Sequence, residues 1–189
     1  QPSHATHVFA RISPLVQPFV SHSESLRSLQ ALPRGYALCY ALHHVEADVL
    51  NGGFQQLHHN STWDLMPSAI VASEVAGETR LAHLLGEVVR HYHELGECRM
   101  DDQECAHVCA RVDGATIRPL EQVEQEFFDI DLRYIEERTF LVERLAAVQD
   151  RTLWGEDHPA PVPIPELTPE QARRQEMFER LKRELAEKY

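Results

Sequence analysis

The stretch EADVLNGGFQQLHHN, Glu46 to Asn60, decides how the chain is read. Two adjacent glycines stand between apolar segments of helical period and are followed at once by Phe54, paired amides and paired histidines. A phosphate-cradling loop places its glycines between a strand and a helix and usually ends in Lys or Ser/Thr. NGGFQQ follows a helical pattern and offers neither. A helix corner fits better. Asn51 and Gly52 are expected to take left-handed dihedrals that end one helix, Gly53 to allow close backbone approach, and Phe54 and Leu57 to begin the next apolar face. The amides of Asn51, Gln56 and Asn60 would then satisfy backbone groups orphaned at the corner.

Outward from this corner the pattern is helical on both sides. RGYALCYALHHVEADVL presents Leu38, Ala41, Leu42, Val45 and Val49 on one face, and WDLMPSAIVASEVAG carries Pro67 near a first turn and Gly77 as a stop. ETRLAHLLGEVVRHYHEL spaces Leu81, Leu84, Leu85, Val88, Val89, Tyr92 and Leu95 by three and four, one stripe of an amphipathic helix. A longer run from Pro119 to Gln149 repeats the pattern through Leu120, Val123, Phe127, Ile130, Tyr134, Leu141, Leu145 and Val148, and a break near Asp129 or Asp131 would divide it in two. Alternation of period two is missing at any length, so the expected fold is all-α: a single multi-helix, bundle-like domain. It is bounded as an N-terminal arm at 1–22, a helical domain at 23–154, a proline-rich linker at 155–167 and a C-terminal helix at 168–189. Thr168, Pro169 and Gln171 start that last helix, whose apolar side is Met177, Phe178, Leu181 and Leu185. It is expected to dock on its own domain or on a second copy.

The formal net charge of −12 is concentrated in one place. Residues 1–60 carry three acids and three bases, 61–150 carry 19 acids and 8 bases, and 151–189 carry 8 acids and 7 bases. A middle segment of that sign repels nucleic acid and attracts basic proteins. The carboxylates expected to make the contact are Glu94, Glu97, Asp101, Asp102 and Glu104, with Glu121, Glu124, Asp131, Glu136 and Glu143. No apolar run approaches the length of a membrane span, and four cysteines are too few and too uneven for a disulfide-built scaffold, so a reducing cytoplasm is the expected compartment.

Catalytic and metal chemistry find weaker support. Cys98, Cys105 and Cys109, with His107, form the densest group of soft ligands, and zinc is the metal that suits them. No tight Cys-x2-Cys pair is present, however, and Cys105, Val108, Cys109 and Val112 fall at the spacing of small core residues, while a disulfide involving Cys98 is a third reading. The pairs His43-His44 and His58-His59 flank the glycine corner and could face each other across a hairpin. Adjacent helical residues point about 100° apart, so one of each pair at most could serve a common site. The serines carry no Gly-x-Ser-x-Gly elbow, and Cys39 lies in an apolar helix without an activating group. No catalytic residue is assigned, no cofactor is expected, and a metal enzyme resembling a hydrolase stays as the alternative beside a zinc-binding protein.

In order along the chain, Asp48, Asn51-Gly52-Gly53-Phe54, Gln56 and Asn60, then the helix ending near Gly77 and the acidic-aromatic FFDIDLRYIEERTFLVERLAAV, resemble the helical domain family of DNA mimic protein 19 over about Tyr36 to Val148. The resemblance implies an all-α fold and a non-enzymatic role. Its best-known member is an acidic dimer whose surface imitates DNA phosphates and occupies a DNA-binding regulator. The expected partner is therefore a basic protein, with no direct contact to nucleic acid or membrane, and a homodimer is the assembly this implies.

Overall fold

The computed structural model describes residues 2–16, 20–112, 118–137, 141–156 and 162–163. Among them the chain is helical, as its periodicity predicts: α1 (His4–Ile12), α2 (His22–Leu29), α3 (Arg34–His59), a 3-10 turn (Ser61–Leu65), α4 (Met66–Val75), α5 (Thr79–Glu94), α6 (Asp102–Arg111), α7 (Leu120–Glu137), α8 (Leu141–Ala146) and α9 (Arg151–Trp154). The extended backbone in these residues is one two-residue antiparallel pair, β1 (Pro2–Ser3) with β2 (Val162–Pro163), in the register Pro2 to Pro163 and Ser3 to Val162. The helix placed at 168–189 by its sequence lies outside the described residues.

Helix α3 is the axis of the domain, and α1, α2, α4, α7, α8 and α9 all pack on it. Its buried face is the predicted one, Leu38, Ala41, Leu42, Val45 and Val49, all sealed from solvent. Helix α5 joins the core through α4 and α7 and carries α6 on its outer side. Burial of each such aliphatic side chain is worth roughly 1.5 to 3 kcal/mol, and this stripe-on-stripe burial supplies most of the helices' stability. Helix α1 takes part as well, because Val8 and Ile12 are buried in the same core.

Local chemistry sets the helix ends. Ser21 and Glu24 form a reciprocal capping box on α2, Asp101 accepts the Glu104 N–H at 2.9 Å to start α6, and Asp150 accepts the Thr152 N–H at 2.8 Å to start α9. Gly77, at φ 79°, ends α4 where the sequence places its stop. At the far end of the domain Trp154 lies across Gly35. A Cβ there would stand 2.5 to 2.7 Å from the indole ring, which also donates its Nε1–H to the Val148 carbonyl at 2.9 Å and meets Tyr36 edge-on at 5.3 Å.

One point left open is decided and two expectations are corrected. Helix α7 runs unbroken through Asp129 and Asp131 to Glu137, because the apolar stripe Val123, Phe127 and Ile130 stays buried and Gln125 donates to Asp129, which keeps that carboxylate off the backbone. Leu95 leaves the apolar stripe and is 58% exposed, since α5 ends at Glu94 and the chain turns at Gly96. The glycine corner is a kink inside α3, with the positive φ at Gly53 (72°) and an extended Gly52 (φ −163°), in place of left-handed Asn51 and Gly52.

Candidate functional site

The kink is held by side chains from both sides. At Gly53 the helix loses its register, and the freed Phe54 N–H donates to Glu124 Oε2 of α7 at 2.8 Å. The carboxylate thus sits at the N-terminal end of the second segment of α3, where the helix dipole favours negative charge. A Cβ on Gly53 would fall 2.7 Å from the carboxyl carbon of Glu124, so the position needs glycine for space as well as for its dihedral. Phe54 is buried and meets Phe127 edge-on at 5.5 Å, and a Cβ on Gly52 would run into the Gln56 side chain. Asn60 donates its side-chain amide to Asp48 Oδ2 at 3.1 Å and so ties the two ends of the kinked segment together. Asn51 stays exposed. Of the motif residues, Asp48, Gly52, Gly53, Phe54, Gln56 and Asn60 converge on one structural device, and Glu124 is its partner from α7.

The carboxylates divide into two sets. Those facing α7 and α8 are engaged within the fold. Arg118 makes a two-pronged contact with Glu87, at 2.8 and 2.9 Å, and reaches Glu126 at 2.8 Å. Arg80 also pairs with Glu126, and His83 lies 3.0 Å from Glu87. The Arg80 hydrogen bond, and then that of Arg118, hold the Glu126 carboxyl down at about 2. Arg144 pairs with Glu78 at 2.5 Å and Arg111 with Glu74 at 3.1 Å. Glu143 accepts the backbone N–H groups of His4 at 2.7 Å and Ala5 at 3.1 Å and so caps α1. Glu124 and Glu143, both expected to face a partner, therefore serve helix ends. Glu121 is exposed, and the side chains of Asp131 and Glu136 lie outside the described residues.

The second set lies on the edge formed by the end of α5, the loop after it and the start of α6. Glu94, Glu97, Asp101, Asp102 and Glu104 are all exposed, and none of them forms an ion pair among the described residues. Asp64 of the 3-10 turn joins them. Partial desolvation, then the charges of Asp101 and Asp64, push the Glu104 carboxyl up. Leu95 stands in the same edge.

This edge is fastened to the end of α3. His58 stacks flat on Tyr92 at 3.8 Å and donates from Nε2 to the Glu97 carbonyl at 2.9 Å. Arg99 donates to the last carbonyls of α3, at 2.7 Å for His58, 3.2 Å for His59 and 3.4 Å for Asn60. A cation at a helix C-terminus is favourable, and here it also anchors the acidic loop. The roles of Asp64, His58 and Arg99 escape the sequence reading. One signal was present for Arg99, the single basic side chain inside the run from Glu94 to Glu104.

The soft-ligand and histidine groups take other forms. Cys105 is buried, Cys98 and Cys109 are half-buried, and the Cys105 thiol donates to Cys98 Sγ at 2.9 Å. His107 points outward from the opposite side of α6, and among the described residues no group of three or more His, Cys, Asp or Glu side chains is arranged to hold a metal ion. The two histidine pairs do not face each other. His44 packs with His22 at 4.9 Å and Tyr40 at 4.3 Å, while His58 packs with Tyr92 and Trp63, because a kink within one helix leaves the pairs far apart along its length. Burial, then the neighbouring His22 and His43, hold His44 down at about 4, so it is neutral at physiological pH. His22 bridges Tyr40 Oη at 2.8 Å and Thr62 Oγ1 at 3.1 Å. That triad staples α2 onto α3 and the 3-10 turn.

No described helix is long and apolar enough to cross a membrane. No curated protein and no solved structure matches the chain. The family model described as DMP19-like protein matches residues 30–151, from the turn before α3 through the start of α9 and therefore across the kink, its Glu124 partner and the acidic edge. The chain belongs to the DMP19-like family.

Proposed function

We propose that the protein acts without catalysis, by presenting the α5–α6 edge to a basic protein, and that the edge stands in for the phosphates of DNA on a DNA-binding or regulatory partner. The observation that carries this reading is the set of six exposed carboxylates, Asp64, Glu94, Glu97, Asp101, Asp102 and Glu104, none of them ion-paired among the described residues. Within this set Asp101 also caps α6, whereas Glu87, Glu126, Glu124 and Glu143 on the other side of the domain are answered by arginines or helix ends. Unanswered like charges destabilise a fold slightly and raise the rate at which an oppositely charged partner is met. Leu95 adds an apolar contact that a basic partner can bury at the centre of the charge. Family membership supports the same reading. In it the unit at 23–154 does the binding, the 155–167 linker and 168–189 helix are appendages, and the active form is a dimer.

The test is affinity capture from the native host with the full chain and with a charge-neutral variant, Glu94→Gln, Glu97→Gln, Asp101→Asn, Asp102→Asn and Glu104→Gln. Asparagine at 101 keeps the α6 cap. A basic protein retained at about 0.1 M salt, released near 1 M where the Debye length falls to roughly 3 Å, displaced by duplex DNA and lost with the variant is the expected result. Retention of neutral partners alone, indifferent to salt and to the variant, overturns the reading. Sedimentation over a range of concentrations measures the dimer separately.

A further inference from the structure

The acidic loop is bracketed by two thiols. Cys98 ends the turn after α5, Cys105 lies in the first turns of α6, and their sulfur atoms are 2.9 Å apart, inside the ordinary contact distance of two thiols. Cys109 lies one helical turn beyond Cys105 on the same helix. Cys39, the fourth cysteine, is buried in α3 and lies apart from this group.

We propose that Cys98 and Cys105 are a dithiol–disulfide pair, a site of reversible oxidation by peroxide, with Cys109 as a third thiol within exchange distance of Cys105. The geometry distributes the roles. Cys98 is half-buried on a loop and open to a small oxidant, whereas Cys105 is sealed beneath it. The Cys98 sulfur attacks one oxygen of hydrogen peroxide, the O–O bond breaks, and water leaves with a sulfenic acid on Cys98. The Cys105 sulfur then attacks the Cys98 sulfur, the S–O bond breaks, and a second water leaves. Two thiols have given up two electrons, and one peroxide has become two waters. Burial pushes the Cys105 thiol well above its ordinary range, in keeping with a resolving thiol that reacts once its partner is activated. A cellular dithiol reverses the reaction by exchange. The bond closes a ring over residues 98–105, which contains Arg99, Asp101, Asp102 and Glu104. This chemistry stands whether or not the edge binds a partner.

The experiment treats the reduced full-length protein with a small molar excess of hydrogen peroxide and follows free thiols by titration and the cross-link by peptide mass mapping. The expected result is a fall from four free thiols to two, a Cys98–Cys105 cross-linked peptide, and full recovery with dithiothreitol. Cys98→Ser, at a half-buried loop position and with its folding checked by circular dichroism, should abolish the cross-link, while Cys109→Ser leaves it in place. Over-oxidation of Cys98 to sulfinic acid without a cross-link, or a Cys105–Cys109 link in the wild-type protein, overturns the assignment. So does thiol loss in Cys98→Ser at the wild-type rate.

Discussion

The α7 side and the α5–α6 edge are both acidic in sequence, yet their carboxylates do opposite things. Along α7 and its neighbours, Glu87 and Glu126 share Arg118, Glu126 takes Arg80 as well, Glu124 caps the kink of α3, and Glu143 caps α1. At the other edge Glu94, Glu97, Asp101, Asp102 and Glu104 face solvent without ion pairs among the described residues. The contrast teaches that a net charge of −12 is no measure of an interaction surface. Some of that charge is structural and holds helices in place, and the remainder is exposed and available.

Substitutions on the two sides should separate these roles. Arg118→Ala is expected to have the largest effect, on the order of 3 kcal/mol lost in chemical denaturation, because it leaves Glu87, whose side chain is 5% exposed, buried beside only His83. If Arg118→Ala left stability unchanged, the division drawn above would fail on its structural side. Gly53→Ala comes next, at about 2 kcal/mol, since alanine is strained at φ 72° and its Cβ displaces the Glu124 carboxylate. Glu124→Ala alone should take about 1 kcal/mol, the share of the lost cap.

Acid titration sharpens the same contrast. Glu126 has a carboxyl held at about 2 against an ordinary 4.5, so the folded form resists protonation more than the unfolded chain does. Its stabilisation is complete above the ordinary value and disappears as pH falls from about 5 towards 2. Melting temperature followed over that window should drop, and the drop should be shallower in Glu126→Gln. At 30% exposure the effect is discounted by solvent and ranks below Gly53. Smallest of all, the fivefold neutralisation of the α5–α6 edge should change stability by less than about 0.5 kcal/mol. A large loss there would mean that these acids, too, are structural.

The helices themselves were legible from periodicity. The stripes on α3 and α5 are buried as spaced, Gly77 stops α4, and Cys105, Val108 and Val112 face the core at the intervals of apolar residues. Leu95 shows the limit of that reasoning, because a periodic stripe does not say where the helix beneath it ends. The motif around Gly52 and Gly53 marked a change of direction correctly. Which glycine takes the positive dihedral depends on Glu124, 70 residues away, whose carboxylate supplies the hydrogen bond that makes the kink affordable. The possibility of a shared histidine site falls for a related reason: a hairpin would have brought the two pairs together, and a kink does not.

Helical class, the stop at Gly77, the start near Pro119 and the concentration of charge in the middle of the chain follow from the sequence alone, because periodicity, helix-start and helix-stop residues and composition are local properties. Which carboxylates meet an arginine, which cap a helix and which remain free is decided only when α3, α5, α7 and α8 pack. Ion pairs such as Arg118 with Glu87 and Arg80 with Glu126 act over a few ångströms between residues tens of positions apart, and no local pattern encodes that distance. The same packing brings Cys98 to Cys105 and fastens the acidic loop to the end of α3 through His58 and Arg99.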